Sequence, residues 1–183
     1  MSGKLIALIS GIGGLILFSI IVISIFSGTY NRVVTLEENI NTSKSNISKE
    51  EKRRADLFNN LADAVQAYDK HEQTTLQKVI EARQQANGGN IDQAMLTLAA
   101  VVEQYPQLKS QENYKQAMTE FSVTENRIAQ YREQYNNDVR SYNRKVRSFP
   151  TNIVLGIMGY DKQDFQYLEY KTEENEHRNL FSE

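Results

Sequence analysis

Apolar residues run without a charge from residue 5 to residue 26, and polar residues then dominate the remainder of the chain. A helix of that length rises about 33 Å at about 1.5 Å per residue, enough for a hydrocarbon core of about 30 Å. Only Lys4 and the terminal amine precede the run, and the first charge after it is Arg32. The pattern predicts a transmembrane anchor over 5–26, after a short N-terminus at 1–4. A cleaved signal peptide fits less well, because the run is too long and Ser24-Ile25-Phe26-Ser27-Gly28 is a poor cleavage site. Within the span, Ala7, Ser10, Gly11 and Gly14 share one helical face. Small residues at a four-residue spacing let two backbones approach closely, so this face is expected to mediate self-association.

From residue 29 to 149 the period is helical. Phe121, Ile128, Tyr135, Tyr142 and Phe149 recur every seven residues, with Met118, Val139 and Val146 on an offset stripe. That is the seam of a helix packed lengthwise on others. Asn87-Gly88-Gly89-Asn90 and Tyr105-Pro106 interrupt the pattern. Asn and Ser crowd together at 41–48, and Ser48-Lys49-Glu50-Glu51 fits a capping box. The expected elements are helices at about 29–44, 49–86, 91–104 and 110–148. A first arm continuous through 41–48 is the alternative. The fold class is all-α: an N-terminal transmembrane helix followed by a long antiparallel, up-and-down helical bundle of four helices, occupying 27–160.

Glu125 and Arg132 fall on the offset stripe of the last helix, and Arg54 lies one turn before Leu57 on the apolar face of the second. A buried charge is costly unless it is paired. The expectation is that Glu125 pairs with Arg53 or Arg54 across the bundle. The competing possibility is that these long side chains run to the bundle edge and keep their heads in water.

Composition narrows the function. Lys+Arg is 21 against 23 Asp+Glu, a net charge of −2, which argues against a nucleic-acid binder. With no Cys and 2 His, thiolate zinc sites, disulfides and thiol nucleophiles are excluded. His71-Glu72 lacks the second His of a zincin, and His177 stands alone in an acidic stretch. Gly11-Ile12-Gly13-Gly14 lies inside the span, and Gly88-Gly89 has no following Lys, so neither is a phosphate loop. Glu50/Glu51 and Glu173/Glu174 are adjacent and point apart on a helix, as solvated faces or caps. No catalytic, cofactor-binding or metal-ligating residue is predicted, and no cofactor is expected.

Two basic clusters remain, Lys49, Lys52, Arg53, Arg54 and Arg140, Arg144, Lys145, Arg147. In a bundle of even helix number the second would lie at the anchored end, near headgroups, where each base contributes about 1 kcal/mol toward an anionic surface. An ordinary solvated helix face is the alternative. Ile153, Val154, Leu155, Ile157 and Met158 form an apolar segment too short to span a bilayer. It is expected to contact the bundle, the membrane surface or a second copy. Residues 161–183 carry seven acids and three bases and read as a mobile acidic tail.

These residues resemble the LemA family of bacterial single-pass membrane proteins, from the anchor to about Tyr160. The resemblance is carried by Tyr30-Asn31-Arg32-Val33-Val34-Thr35-Leu36, Lys52-Arg53-Arg54-Ala55-Asp56-Leu57 and Glu81-Ala82-Arg83. It continues in Tyr105-Pro106-Gln107-Leu108-Lys109, Thr124-Glu125-Asn126-Arg127-Ile128, Tyr135-Asn136-Asn137-Asp138-Val139-Arg140, Tyr142-Asn143 and Ser148-Phe149-Pro150-Thr151-Asn152. It implies an N-terminal anchor and an antiparallel helical bundle, and it supplies no enzymatic activity. The family's role is poorly defined, with scaffolding, envelope-stress and membrane-organising roles proposed, and a related branch contains magnetosome proteins. Asn59 stands where many members carry Pro, which implies a milder kink, and the acidic stretch after Asp161 departs from the shared pattern. The resemblance implies the bacterial cytoplasmic membrane, with the bundle on the cytoplasmic side. The basic clusters tilt the same way.

The functional expectation is a non-catalytic, membrane-anchored helical scaffold that self-associates or organises partners. Its partners would be membrane lipids, copies of itself and other membrane proteins, not nucleic acid. The alternative is an adaptor or regulator of a membrane enzyme, such as a protease, with little self-assembly.

Overall fold

The computed structural model describes residues 3–68 and 72–169, with the side chains of 3–8 and of residue 68 outside that set. His71, His177 and the acidic stretch beyond 169 also lie outside it. The described chain is all-α. Helix α1 spans Gly3–Tyr68, α2 Gln73–Asn87, α3 Ile91–Gln104, α4 Glu112–Arg147 and α5 Thr151–Ile157, with a 3-10 turn at Leu108–Ser110.

Helix α1 is continuous through 41–48, so the expected break there is corrected. The reason is a stripe at alternating three- and four-residue steps. Val33, Leu36, Ile40, Ser43, Ile47 and Glu50 are all buried, and Leu57 and Leu61 continue the line. The seam passes straight through the Asn/Ser-rich stretch, whose Asn41, Thr42, Ser45 and Ser48 are exposed. Ser48 is therefore an interior helical residue and not an N-cap. The break lies instead near Glu72, whose backbone is extended at φ −90°, ψ 112° immediately before α2. No apolar residue occurs in the sequence between Tyr68 and Leu76.

The chain forms two compact units. The first joins residues up to Asn41 with those from Gln134 onward, and the second is Thr42–Glu133. In the second unit α2 and α3 pack on each other as a hairpin. Gly89 takes φ +83°, which a side chain would oppose, and the Asn90 side chain accepts from Gln93 N at 3.2 Å to cap α3. The unit's core gathers Leu57, Phe58, Leu61 and Val65 from α1 with Val79, Leu98, Val102, Leu108 and Phe121.

In the first unit Val33, Leu36 and Ile40 of α1 are buried, as are Tyr135, Val139, Tyr142 and Val146 of α4 and Val154 and Leu155 of α5. Phe149, expected in the heptad seam, is 80% exposed, because α4 ends at Arg147 and the chain turns into α5.

Candidate functional site

The root of α1, the last turns of α4, α5 and residues 160–169 meet within the first unit. After α5 the chain runs back along α4. Asn136 and Leu168 exchange two hydrogen bonds of 2.9 Å, side-chain amide to backbone in each direction. The Tyr135 hydroxyl donates to the Gln166 carbonyl at 3.1 Å. The Phe165 ring stands edge-on to Tyr142 with centroids 5.1 Å apart. Residues 161–169 are thus held on α4, which corrects the mobile-tail reading for that part of the acidic stretch.

A chain of hydroxyls ties this return to α1. Gln163 N–H donates to the Tyr142 oxygen at 2.9 Å, and the Tyr142 and Tyr160 hydroxyls are 3.1 Å apart. Tyr160 spends its single proton on the Glu37 carboxylate, so Tyr142 is the donor to Tyr160. Burial, then the bonds to Glu37 and Tyr142, hold the Tyr160 phenol far above its usual range. Burial raises Tyr135 as well. Both groups stay protonated in the folded chain where an unfolded phenol ionises, near pH 10. Their stabilisation is therefore complete below about pH 10 and declines as pH climbs toward the folded values. Thermal unfolding between about pH 8 and 11 should fall steeply in the native chain and more gently in Tyr160→Phe. Parallel pH profiles would remove Tyr160 from this account.

Below this clasp lies an open basic cavity of about 310 Å³, lined by Arg32, Leu36, Ser141, Arg144, Lys145 and Ser148. Tyr142 reaches Glu37 through Tyr160, while Ser148, six residues later in the chain, shares the cavity with Arg32, five residues earlier on α1, so α1 and α4 run antiparallel here. Phe149 follows Ser148 just past the end of α4, at the end of that helix nearer the apolar run. Among the described residues, Arg32, Arg144 and Lys145 have no carboxylate within ion-pair distance. Arg140 and Arg147 are exposed outside the lining. Of the predicted apolar segment, Val154 and Leu155 point into the core, while Ile153, Ile157 and Met158 are 52%, 69% and 43% exposed. Arg32, Ser141 and Ser148 were not among the expected contact residues. The signal for Arg32 was its place as the first charge after the span.

In α1, residues 9–26 carry no buried side chain, and the segment is long and apolar enough to cross a membrane. An added Cβ at Gly11 or Gly14 meets nothing within 4 Å. Ser10 lies exposed on the same stretch. Ala7 is on the helix, with its side chain outside the described residues.

The second unit carries a ladder of ion pairs. Arg54 pairs with Glu125 and with Asp92, and its guanidinium carbon sits 5.8 Å from the Phe121 ring centroid. Arg53 turns to Glu120 at 3.3 Å. Arg132 reaches Glu51 at 3.2 Å. Glu50, expected on a solvated face, is buried, with Arg127 3.8 Å from one oxygen. It occupies a seam position, and Thr124 is fully buried on α4. Among the described residues no three of His, Asp and Glu converge to hold a metal ion.

The sequence profile of the LemA family matches residues 43–179, which omits the Tyr30–Leu36 motif and extends through most of the acidic stretch. Protein LemA of Metamycoplasma hominis is 31% identical over 155 residues, covering 76% of this chain and 71% of that protein. Magnetosome protein MamQ 2 of Paramagnetospirillum magneticum is 38% identical over 77 residues, 42% of this chain. Magnetosome protein MamQ of Magnetospirillum gryphiswaldense is 34% identical over a match of the same length. The match spans only 28% of the length of either magnetosome protein. A profile match over most of the described chain, with a relative aligned along most of both lengths, places this chain in the LemA family.

Proposed function

We propose that this chain is a membrane-anchored helical scaffold, held by residues 5–26 in the bacterial cytoplasmic membrane, that self-associates and presents its helical body to partners. The observation that carries the reading is the uncovered state of α1 over 9–26. A helix apolar on every face needs lipid or another apolar helix around it. The second support is the open Gly11/Gly14 face, where a neighbouring backbone can approach closely. The body continues the same helix without interruption, so an association in the bilayer would be transmitted directly to it. The basic clusters favour the body on the cytoplasmic side. No enzymatic activity is assigned.

The test is the protein mass of full-length particles in mild detergent, by light scattering. A single defined mass of several 21.0 kDa chains is expected. An added Cβ at Gly11 or Gly14 meets nothing within 4 Å, so Gly11→Leu with Gly14→Leu is directed at packing between chains. This double variant should weaken association by about tenfold, in the range of a lost close helix contact. A monomeric mass for the native chain would overturn the scaffold reading and favour the adaptor. A reporter fused to Glu183 that works only outside the cytoplasm would reverse the orientation.

A further inference from the structure

We infer that the basic cavity at the root of α1 binds the phosphate of an anionic lipid headgroup, and so fixes the body against the bilayer surface. The inference rests on the anchored reading above.

Arg32 stands at the height of the headgroups. Arg32 lies six residues beyond Phe26, about 9 Å along the helix axis. The headgroup layer is about 5–8 Å deep on each side of the hydrocarbon core. An arginine side chain directed back along the helix reaches that layer. Tyr30, 40% exposed, lies between Arg32 and the apolar run, at the depth where aromatic rings with a polar tip concentrate.

The chemistry of the cavity suits a phosphodiester. Arg32, Arg144 and Lys145 converge on one cavity with no carboxylate partner among the described residues. All five arginines of the second unit, Arg53, Arg54, Arg83, Arg127 and Arg132, face carboxylates, whereas Arg32 and Arg144 face none among the described residues. A phosphodiester offers the oxygens that a guanidinium fork and an ammonium take up. Ser141 adds a hydroxyl, while Ser148 already donates to the Lys145 carbonyl at 2.8 Å.

The apolar surroundings of the cavity favour a lipid over a free phosphate. Phe149 directly follows Ser148 of the cavity wall and is 80% exposed, and Ile153 and Ile157 of α5 are also uncovered. Because α1 and α4 run antiparallel, Phe149 lies toward the apolar run from Arg144 and Lys145. Apolar side chains beside a basic cavity at that depth match the layered polarity of a lipid, with phosphate above and glycerol and acyl carbons below. A free anion would have no use for them.

The experiment titrates full-length protein in a neutral detergent with phosphatidylglycerol, with phosphatidylcholine of the same chains, and with inorganic phosphate, reading bound ligand by native mass spectrometry. Phosphatidylglycerol should bind at least about tenfold tighter than phosphatidylcholine. Arg32→Gln, Arg144→Gln and Lys145→Gln together should abolish that preference at unchanged helicity. Arg140→Gln with Arg147→Gln, outside the cavity, should keep it. Equal binding of the two lipids overturns the inference, as does a preference that survives the triple variant or is lost in the control pair. Inorganic phosphate binding as tightly as phosphatidylglycerol overturns the lipid source. Carbonate washing of phosphatidylcholine vesicles carrying the protein separates the two readings. Extraction of the chain sinks the anchor and this inference with it. Retention without a lipid preference sinks the inference alone.

Discussion

Tyr142→Ala is expected to cost about 3–5 kcal/mol and to release residues 160–169 from α4. Tyr142 is fully buried in the first unit. Its ring is the surface on which Phe165 stands, and its oxygen receives Gln163 N–H while its proton goes to Tyr160. Alanine removes all of these and leaves a cavity that neighbouring Val139 and Val146, both β-branched, fill poorly. Tyr142→Phe separates the two contributions. It keeps the ring and strands the Gln163 N–H, for a cost of about 1–2 kcal/mol. The measurements are thermal unfolding of the detergent-solubilised chain and amide exchange at 163–168. A Tyr142→Ala chain whose exchange matches the native chain would show that the return segment is held by something other than this ring.

This clasp shows why part of the molecule was not legible beforehand. Tyr135, Asn136 and Tyr142 look like ordinary seam and flank positions of a heptad. Their partners stand 31, 32 and 18 residues further on, in a stretch with no period of its own. Hydrogen bonds between single common residues leave no repeating trace in a sequence. By contrast, the turn at Gly88–Gly89 and the stop at Tyr105-Pro106 follow from local backbone chemistry, and α3 begins and ends at them. The course of α1 through 41–48 was ambiguous for a different reason. Asn and Ser are weak helix formers and good caps, so local propensity argued for a break. Ile40 and Ile47 are seven residues apart, however, and packing along that seam outweighs a few tenths of a kcal/mol per residue of propensity. The same holds at Asn59, which α1 passes without interruption. Of the basic and apolar residues at 140–158, the sequence located the cluster. Which of them face a common cavity depended on where α4 ends and how α5 turns, and this separates Arg144 and Lys145 from Arg140 and Arg147.

Charged residues on an otherwise apolar seam follow a related logic. Glu50 and Arg54 occupy α1 positions where Ile40 and Ile47 would predict aliphatic residues. An aliphatic side chain there would bury more apolar area, but it would also permit a seven-residue slip of one helix along another. A charge at the seam penalises every register that does not bring an opposite charge to it. The pairs Arg54–Glu125, Arg53–Glu120 and Arg132–Glu51 join α1 to α4 at three levels of the second unit, so register is set at several points.

Arg54 is the member of that ladder whose loss should be felt most. Its side chain is 19% exposed, less than that of any other arginine in these pairs. It serves two carboxylates, Glu125 of α4 and Asp92 at the start of α3, and it covers the Phe121 ring. Asp92 is 77% exposed and Glu125 39%, so water screens both and each pair alone is worth about 1 kcal/mol or less. The larger part is what remains after removal: a seam carboxylate without its cation and an uncovered Phe121. Arg54→Ala should therefore destabilise the second unit by about 2–4 kcal/mol, between the exposed and buried limits. Arg54→Leu with Glu125→Leu removes both charges and fills the seam, and should come back to within about 1 kcal/mol of the native chain. Thermal unfolding of the two variants decides between register and stability. If Arg54→Ala is neutral, the pair is a surface contact. If the double leucine variant is stable but its Arg132-to-Glu51 level loses protection in amide exchange, the charges hold register and the apolar area holds the fold.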